Sequence, residues 1–80
     1  MKVMAKVTTL SPDRIIEKAK DFFNHNLGLQ LVNQTGNCCL EFESNLGFVT
    51  LQIFDNDKNR EVNLSTREYE RQIQKFLGDL

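Results

Sequence analysis

Few side chains in this sequence have types and spacing suited to chemistry. Cys38 and Cys39 stand side by side and are the only cysteines, and His25 is the only histidine. Asp55-Asn56-Asp57-Lys58-Asn59 gathers carboxylates and amides in one short run, and Arg67, Arg71 and Lys75 recur four residues apart. Adjacent thiols on an extended strand point to opposite faces, so a bond between them is disfavoured and a reduced, half-buried pair is expected. A zinc knuckle needs cysteine pairs split by a short spacer plus further ligands, which the chain lacks. A nucleophilic thiol needs a base within hydrogen-bond reach, and only His25 could serve. No glycine-rich nucleophile turn precedes either cysteine, and there is no Walker loop, dinucleotide fingerprint or GxSxG turn. No catalytic residue, metal ligand or cofactor is therefore assigned, and a non-catalytic protein is expected.

The acidic run opens as a calcium-binding EF-hand loop does, D-x-D-x-N. It then places Arg60 where the sharp turn needs glycine and Thr66 where a bidentate glutamate closes the cage. The same residues suit an ordinary hairpin loop. The Arg67, Arg71, Lys75 stripe reads as the solvated side of a helix, with an acidic partner or phosphate as the minority reading. Ten basic and eleven acidic side chains give a net charge of −1, without the basic footprint of a nucleic-acid binder, so no nucleic-acid partner is expected.

These residues need a scaffold, and the composition supplies one. Leu, Ile, Val and Phe make up 25 of the 80 residues, enough for a core, and the length suits one small domain over 1–80. No apolar run is long enough to cross a bilayer, and the opening Met1-Lys2-Val3-Met4-Ala5-Lys6 lacks the apolar stretch of a secretion signal. A cytoplasmic location is the expectation.

Lys2 to Leu10 alternates as a strand, with Val3, Ala5 and Val7 toward a core and Lys2, Met4 and Lys6 away from it. Ser11-Pro12-Asp13 opens a helix: serine caps, proline fits the first turn, and aspartate suits the positive end of the dipole. Ile15, Ile16, Ala19, Phe22 and Phe23 form its apolar stripe, and Gly28 offers a left-handed stop. Four strands follow: Leu29 to Asn33, Cys38 to Glu43, Phe48 to Phe54 and Arg60 to Leu64, parted by turn residues. Ser65-Thr66-Arg67-Glu68 reads as a capping box opening a second helix, whose inner side carries Tyr69, Ile73, Phe76, Leu77 and Leu80.

The order strand, helix, four strands, helix predicts an α+β two-layer sandwich. Both helices lie on one face of an antiparallel five-stranded sheet of order 1-5-4-3-2. A right-handed parallel crossover placing the second strand beside the first is the competing topology. The element order is similar to the half-repeat of the TATA-box-binding protein family (TBP-like) and to a shortened Bet v 1-like helix-grip fold. The resemblance spans nearly the whole chain as an order of elements. A DNA-binding sheet face of the first kind carries basic residues and apolar wedges. Here the outer face is expected to hold Lys2 and Lys6 together with Glu41, Glu43 and Glu61.

A sheet covered on one side leaves the other free, and strand parity assigns Phe48 and Phe54 to that free side. Met4, Val32 and Glu41 join them as the candidate interaction face for a protein partner or a second copy of the chain. Tucking of both phenylalanines over the core rim is the competing reading. The alternative function is small-molecule binding in a cleft between the first helix and the sheet, lined by Phe22, Phe23, Cys38 and Phe42.

Overall fold

The computed structural model describes residues 1–80. β1 (Lys2–Thr8) leads into α1 (Pro12–Ala19), which continues as a π-helical stretch over Lys20–Asn26. Then come β2 (Gln30–Thr35), β3 (Cys39–Glu43), β4 (Phe48–Asp55), β5 (Arg60–Arg67) and α2 (Glu70–Gly78). Every neighbouring pair of strands is antiparallel, and the sheet order is β1-β5-β4-β3-β2. Both edges of the sheet are thus the strands that flank the first helix in sequence.

The capping chemistry before α1 forms as the residues dictate. Ser11 Oγ accepts the Arg14 N–H at 3.3 Å, Pro12 occupies the first turn, and Arg14 pairs with Glu17 at 2.9 Å. Past Ala19 the hydrogen-bond span lengthens, so that Leu27 N–H reaches the Phe22 carbonyl five residues back at 3.1 Å. The chain stops at Gly28, whose φ of 77° only glycine adopts freely, and Asn24 Nδ2 ties down the Leu29 carbonyl at 2.6 Å. That widened turn seats Phe23 fully in the core and leaves Phe22 half-buried at its rim.

The core is one cluster between the layers. Ile15, Ile16, Ala19 and Phe23 come from the first helix, and Ile73, Phe76 and Leu77 from α2. They meet Leu40, Phe42, Val49, Leu51, Ile53, Val62 and Leu64 from the three central strands. Period two holds in each of those strands, so their other face is turned away from both helices.

Three expectations are corrected. In β1 the inward set is Met4, Lys6 and Thr8, which lie opposite Leu64, Val62 and Arg60 on β5, while Val3 and Val7 are 59% and 56% exposed. The buried alternation of β5 decides the face of its neighbour, and the inner site over β1 suits a lysine. Lys6 lays its stem under α2 and donates from Nζ to the Leu77 carbonyl at 2.8 Å, at the negative end of that helix. The capping box at Ser65 does not form, because β5 runs on to Arg67 and α2 begins at Glu70. No side chain caps α2; the buried Thr66 hydroxyl instead donates to the Phe48 carbonyl at 2.6 Å and accepts the N–H of Tyr69, the residue before the helix, at 3.3 Å. Arg67 consequently sits on a strand, and only Arg71 and Lys75 of the basic stripe share a helix. In β2 the ladder with β3 shifts between Leu31 and Asn33, leaving Val32 as a bulge, 46% exposed.

Gly47 shows how tightly the β3–β4 turn meets the end of β5, since a Cβ there would lie 2.0 Å from the Arg67 carbonyl oxygen. Gly47→Ala is expected to destabilise the fold by about 3 kcal/mol. Gly78→Ala, with open space around it on α2, should leave stability level or raise it by up to ~1 kcal/mol. Urea denaturation of the two variants checks the contrast; equal effects would contradict it.

Candidate functional site

Residues paired across antiparallel strands share a face, so the register maps the surface opposite the helices row by row. Thr35, Cys39, Gln52, Asn63 and Ala5 cross the sheet in one row, and Asn33, Glu41, Thr50, Ser65 and Val3 in the next. Phe54, Glu61 and Val7 close one end; Gln30, Glu43, Phe48 and Arg67 close the other. The middle of this face is polar and internally bonded. Thr50 and Ser65 share a hydroxyl hydrogen bond, and Asn63 Nδ2 donates to Glu61 Oε2 at 2.8 Å. Its apolar surface lies along one edge and at one end: Val3, Ala5 and Val7 line β1, and Phe54, 51% exposed, stands at the end of the middle strand β4 beyond Glu61.

The sequence-derived face is therefore partly reassembled. Phe54 and Glu41 lie exposed on it, and Phe48 lies on it half-buried between Glu43 and Arg67. Val32 is exposed but sits in the β2 bulge. Met4 is on the opposite side, packed against the core. Val3 and Val7, which alternation alone assigned to the interior, take its place. The signal that distinguishes the two phases is the helix-facing alternation of the neighbouring strand β5 and the partner that α2 offers Lys6; β1 by itself carries neither.

The residues of the alternative cleft do not surround a common space. Phe23 and Phe42 are completely buried with ring centroids 5.3 Å apart, and Phe23 also meets Phe76 at 5.1 Å and Phe22 at 5.0 Å. Aromatic side chains thus fill the region between the first helix and the sheet. Phe22 borders shallow surface hollows on the helix side with Asn26 and Lys75 or Asp79. Cys38 borders a separate open hollow of about 460 Å³ with Pro12, Asp13, Asn37, Ile53 and Asp55. The largest hollow, about 490 Å³, is polar and lies by Arg67, Glu68, Glu70 and Arg71.

The remaining candidates are placed as follows. Asp55-Asn56-Asp57-Lys58-Asn59 folds as the β4–β5 hairpin loop: Asp55 Oδ1 accepts the Asp57 N–H at 3.0 Å, and the same oxygen faces Arg60 Nε at 3.3 Å. Asp57 takes the left-handed turn conformation at φ 71°. His25 is exposed at the end of the π-helical stretch. Cys38 and Cys39 are joined in a disulfide, which corrects the expectation of a reduced pair. The strand-alternation argument fails there because β3 begins only at Cys39; Cys38 belongs to the preceding turn, where its N–H donates to the Thr35 carbonyl at 3.2 Å.

No protein-family model matches the chain, and no curated protein sequence matches it. No helix is long and apolar enough to cross a membrane.

The bond between neighbouring cysteines closes almost no loop, so its effect on the unfolded chain is small. Unreduced protein is expected to resist iodoacetamide and to take two carbamidomethyl groups after reduction, with a melting temperature lowered by no more than about 3 °C. Ready alkylation without reductant, or loss of the fold on reduction, would contradict this.

Proposed function

We propose that this chain is a small non-catalytic binding module that associates with a protein surface through the uncovered face of its sheet. One observation carries the reading: Val3, Val7 and Phe54 are each more than half exposed on the same side of the sheet, the valines on the edge strand β1 and Phe54 at the end of β4. Large apolar side chains gathered on one exposed surface mark association sites more often than isolated ones do. The polar centre of the face, with its hydroxyl and amide pairs already bonded, suits the hydrogen-bonding rim of an interface. Glu41, Phe48 and Arg67 extend the surface toward the far end of the central strands. A protein partner or a second copy of the chain fits this chemistry. Small-molecule binding between the first helix and the sheet ranks lower, because packed aromatic rings occupy that region.

Phe54→Asp tests the reading, since the side chain is exposed and the charge falls on the proposed surface. The variant is expected to keep the far-ultraviolet circular dichroism and melting temperature of the parent while its association weakens by about tenfold or more, read by native mass spectrometry and light scattering. Association unaffected by Phe54→Asp and by Val7→Lys, but abolished by Arg71→Glu on α2, would overturn the outer face as the site. A chain that stays monomeric and co-purifies with nothing would overturn the binding role itself.

A further inference from the structure

We propose that β1 pairs edge to edge with β1 of a second copy, antiparallel and with Ala5 on the two-fold axis, so that two sheets join into one. This inference rests on the binding role above and names its partner as a second copy of the chain.

Both ends of the sheet order offer an unpaired row of backbone N–H and C=O groups, but the two edges differ. The β2 edge is interrupted by the Val32 bulge, which bends a strand and breaks the run of groups a partner would pair with. β1 is regular: Lys2 through Thr8 pair one for one with Thr66 through Arg60 on β5, with no shift. It is the edge shaped for strand addition.

The order of residues along β1 then selects a register. With Ala5 on the axis the whole strand overlaps its copy. Val3 faces Val7 of the second copy, Ala5 faces Ala5, Met4 faces Lys6, and Lys2 faces Thr8. No lysine opposes a lysine. Moving the axis to Met4 sets Lys2 against Lys6 twice, and moving it to Lys6 sets the two Lys6 side chains against each other; like charges opposite one another are unfavourable. Registers that pair odd with even positions set Val3 against Lys6 together with Val7 against Lys2, or set Ala5 against Lys6, and turn one helix layer to the other side. Only the Ala5 register sets Val3, Ala5 and Val7 of both copies directly opposite one another, in one continuous apolar strip on the outer face. Lys6 is no obstacle, because its ammonium is already held on the helix side by the Leu77 carbonyl. The two lysines thus act as register selectors, excluding the shifted pairings that an uncharged edge would accept.

The test is a charge exchange across the axis, read by sedimentation equilibrium or light scattering on the full chain at up to about 100 μM. The parent is expected to show twice the 9.3 kDa chain mass. V3K/V7K places like charges opposite each other at both ends and should raise the dissociation constant by about tenfold or more. V3K/V7E places opposite charges there and should restore the dimer. Unchanged circular dichroism in both variants shows that the fold is kept. Failure of V3K/V7E to recover the dimer, or its loss in both variants alike, overturns the register. A dimer indifferent to V3K/V7K but lost in F54D overturns edge pairing while keeping the outer-face reading. A monomeric parent that still binds another protein through Phe54 does the same. Open-ended polymers would instead mean β1 joined to β2 of the next copy, and would overturn the closed pair.

Discussion

Phe23 is the contact on which the rest of the arrangement depends. Its ring touches Phe42 on the sheet, Phe76 on α2 and Phe22 on its own helix, so one side chain fastens both helices to β3. Burial of a ring of that size contributes about 3 kcal/mol, before the aromatic contacts are counted. The widened helical turn after Ala19 is what aims Phe23 at this junction while leaving Phe22 at the rim. With both helices fastened to one side, the other side of the sheet has no covering layer among these residues. The bare sheet face is thus a consequence of where the apolar helix stripes go.

Much of this was legible in the residues. The Ser11-Pro12-Asp13 start, the Gly28 stop and the alternation of Leu40 with Phe42 and of Val49, Leu51 and Ile53 are strong local signals. The structure follows them. Strand order followed from antiparallel connection of short turns, with β5 returning beside β1. The face of β1 was not legible, because its alternation carries apolar residues in both phases: Val3, Ala5 and Val7 in one, Met4 in the other. What resolved it was tertiary, namely the helix-facing set Val62, Leu64 and Thr66 on β5 and the carbonyl that α2 presents to Lys6. The start of α2 was hidden for a related reason. Ser65-Thr66-Arg67-Glu68 has the letters of a capping box, yet Ser65 is held on the outer face by Thr50, and Thr66 is needed to bond the Phe48 carbonyl.

The candidate surface inherits both effects. Phe54 and Glu41 could be assigned from strand parity, which holds wherever a strand lies between two neighbours. Parity was weaker at the margins, where β1 and β2 each have one free side: one took the opposite phase, and the other bulged at Val32. The same margins differ in what they offer a partner. β2 is broken and exposed along its length, whereas β1 is regular and apolar on its outer side. The Cys38–Cys39 bond lies away from β1, at the start of β3, and the polar hollow by Arg67 and Arg71 lies at the start of α2. An interface at β1 therefore leaves the cysteine pair free, whereas the hollow, lined also by Met1 and Thr66, borders the Lys2 end of that strand.

Amide hydrogen exchange, followed residue by residue at low and high protein concentration, tests the central claim most directly. If the outer margin of β1 is an association edge, amides within Lys2–Thr8 gain protection as concentration rises, while those of Gln30–Thr35 do not change. Protection that is independent of concentration throughout β1, or a gain confined to β2, would contradict the account.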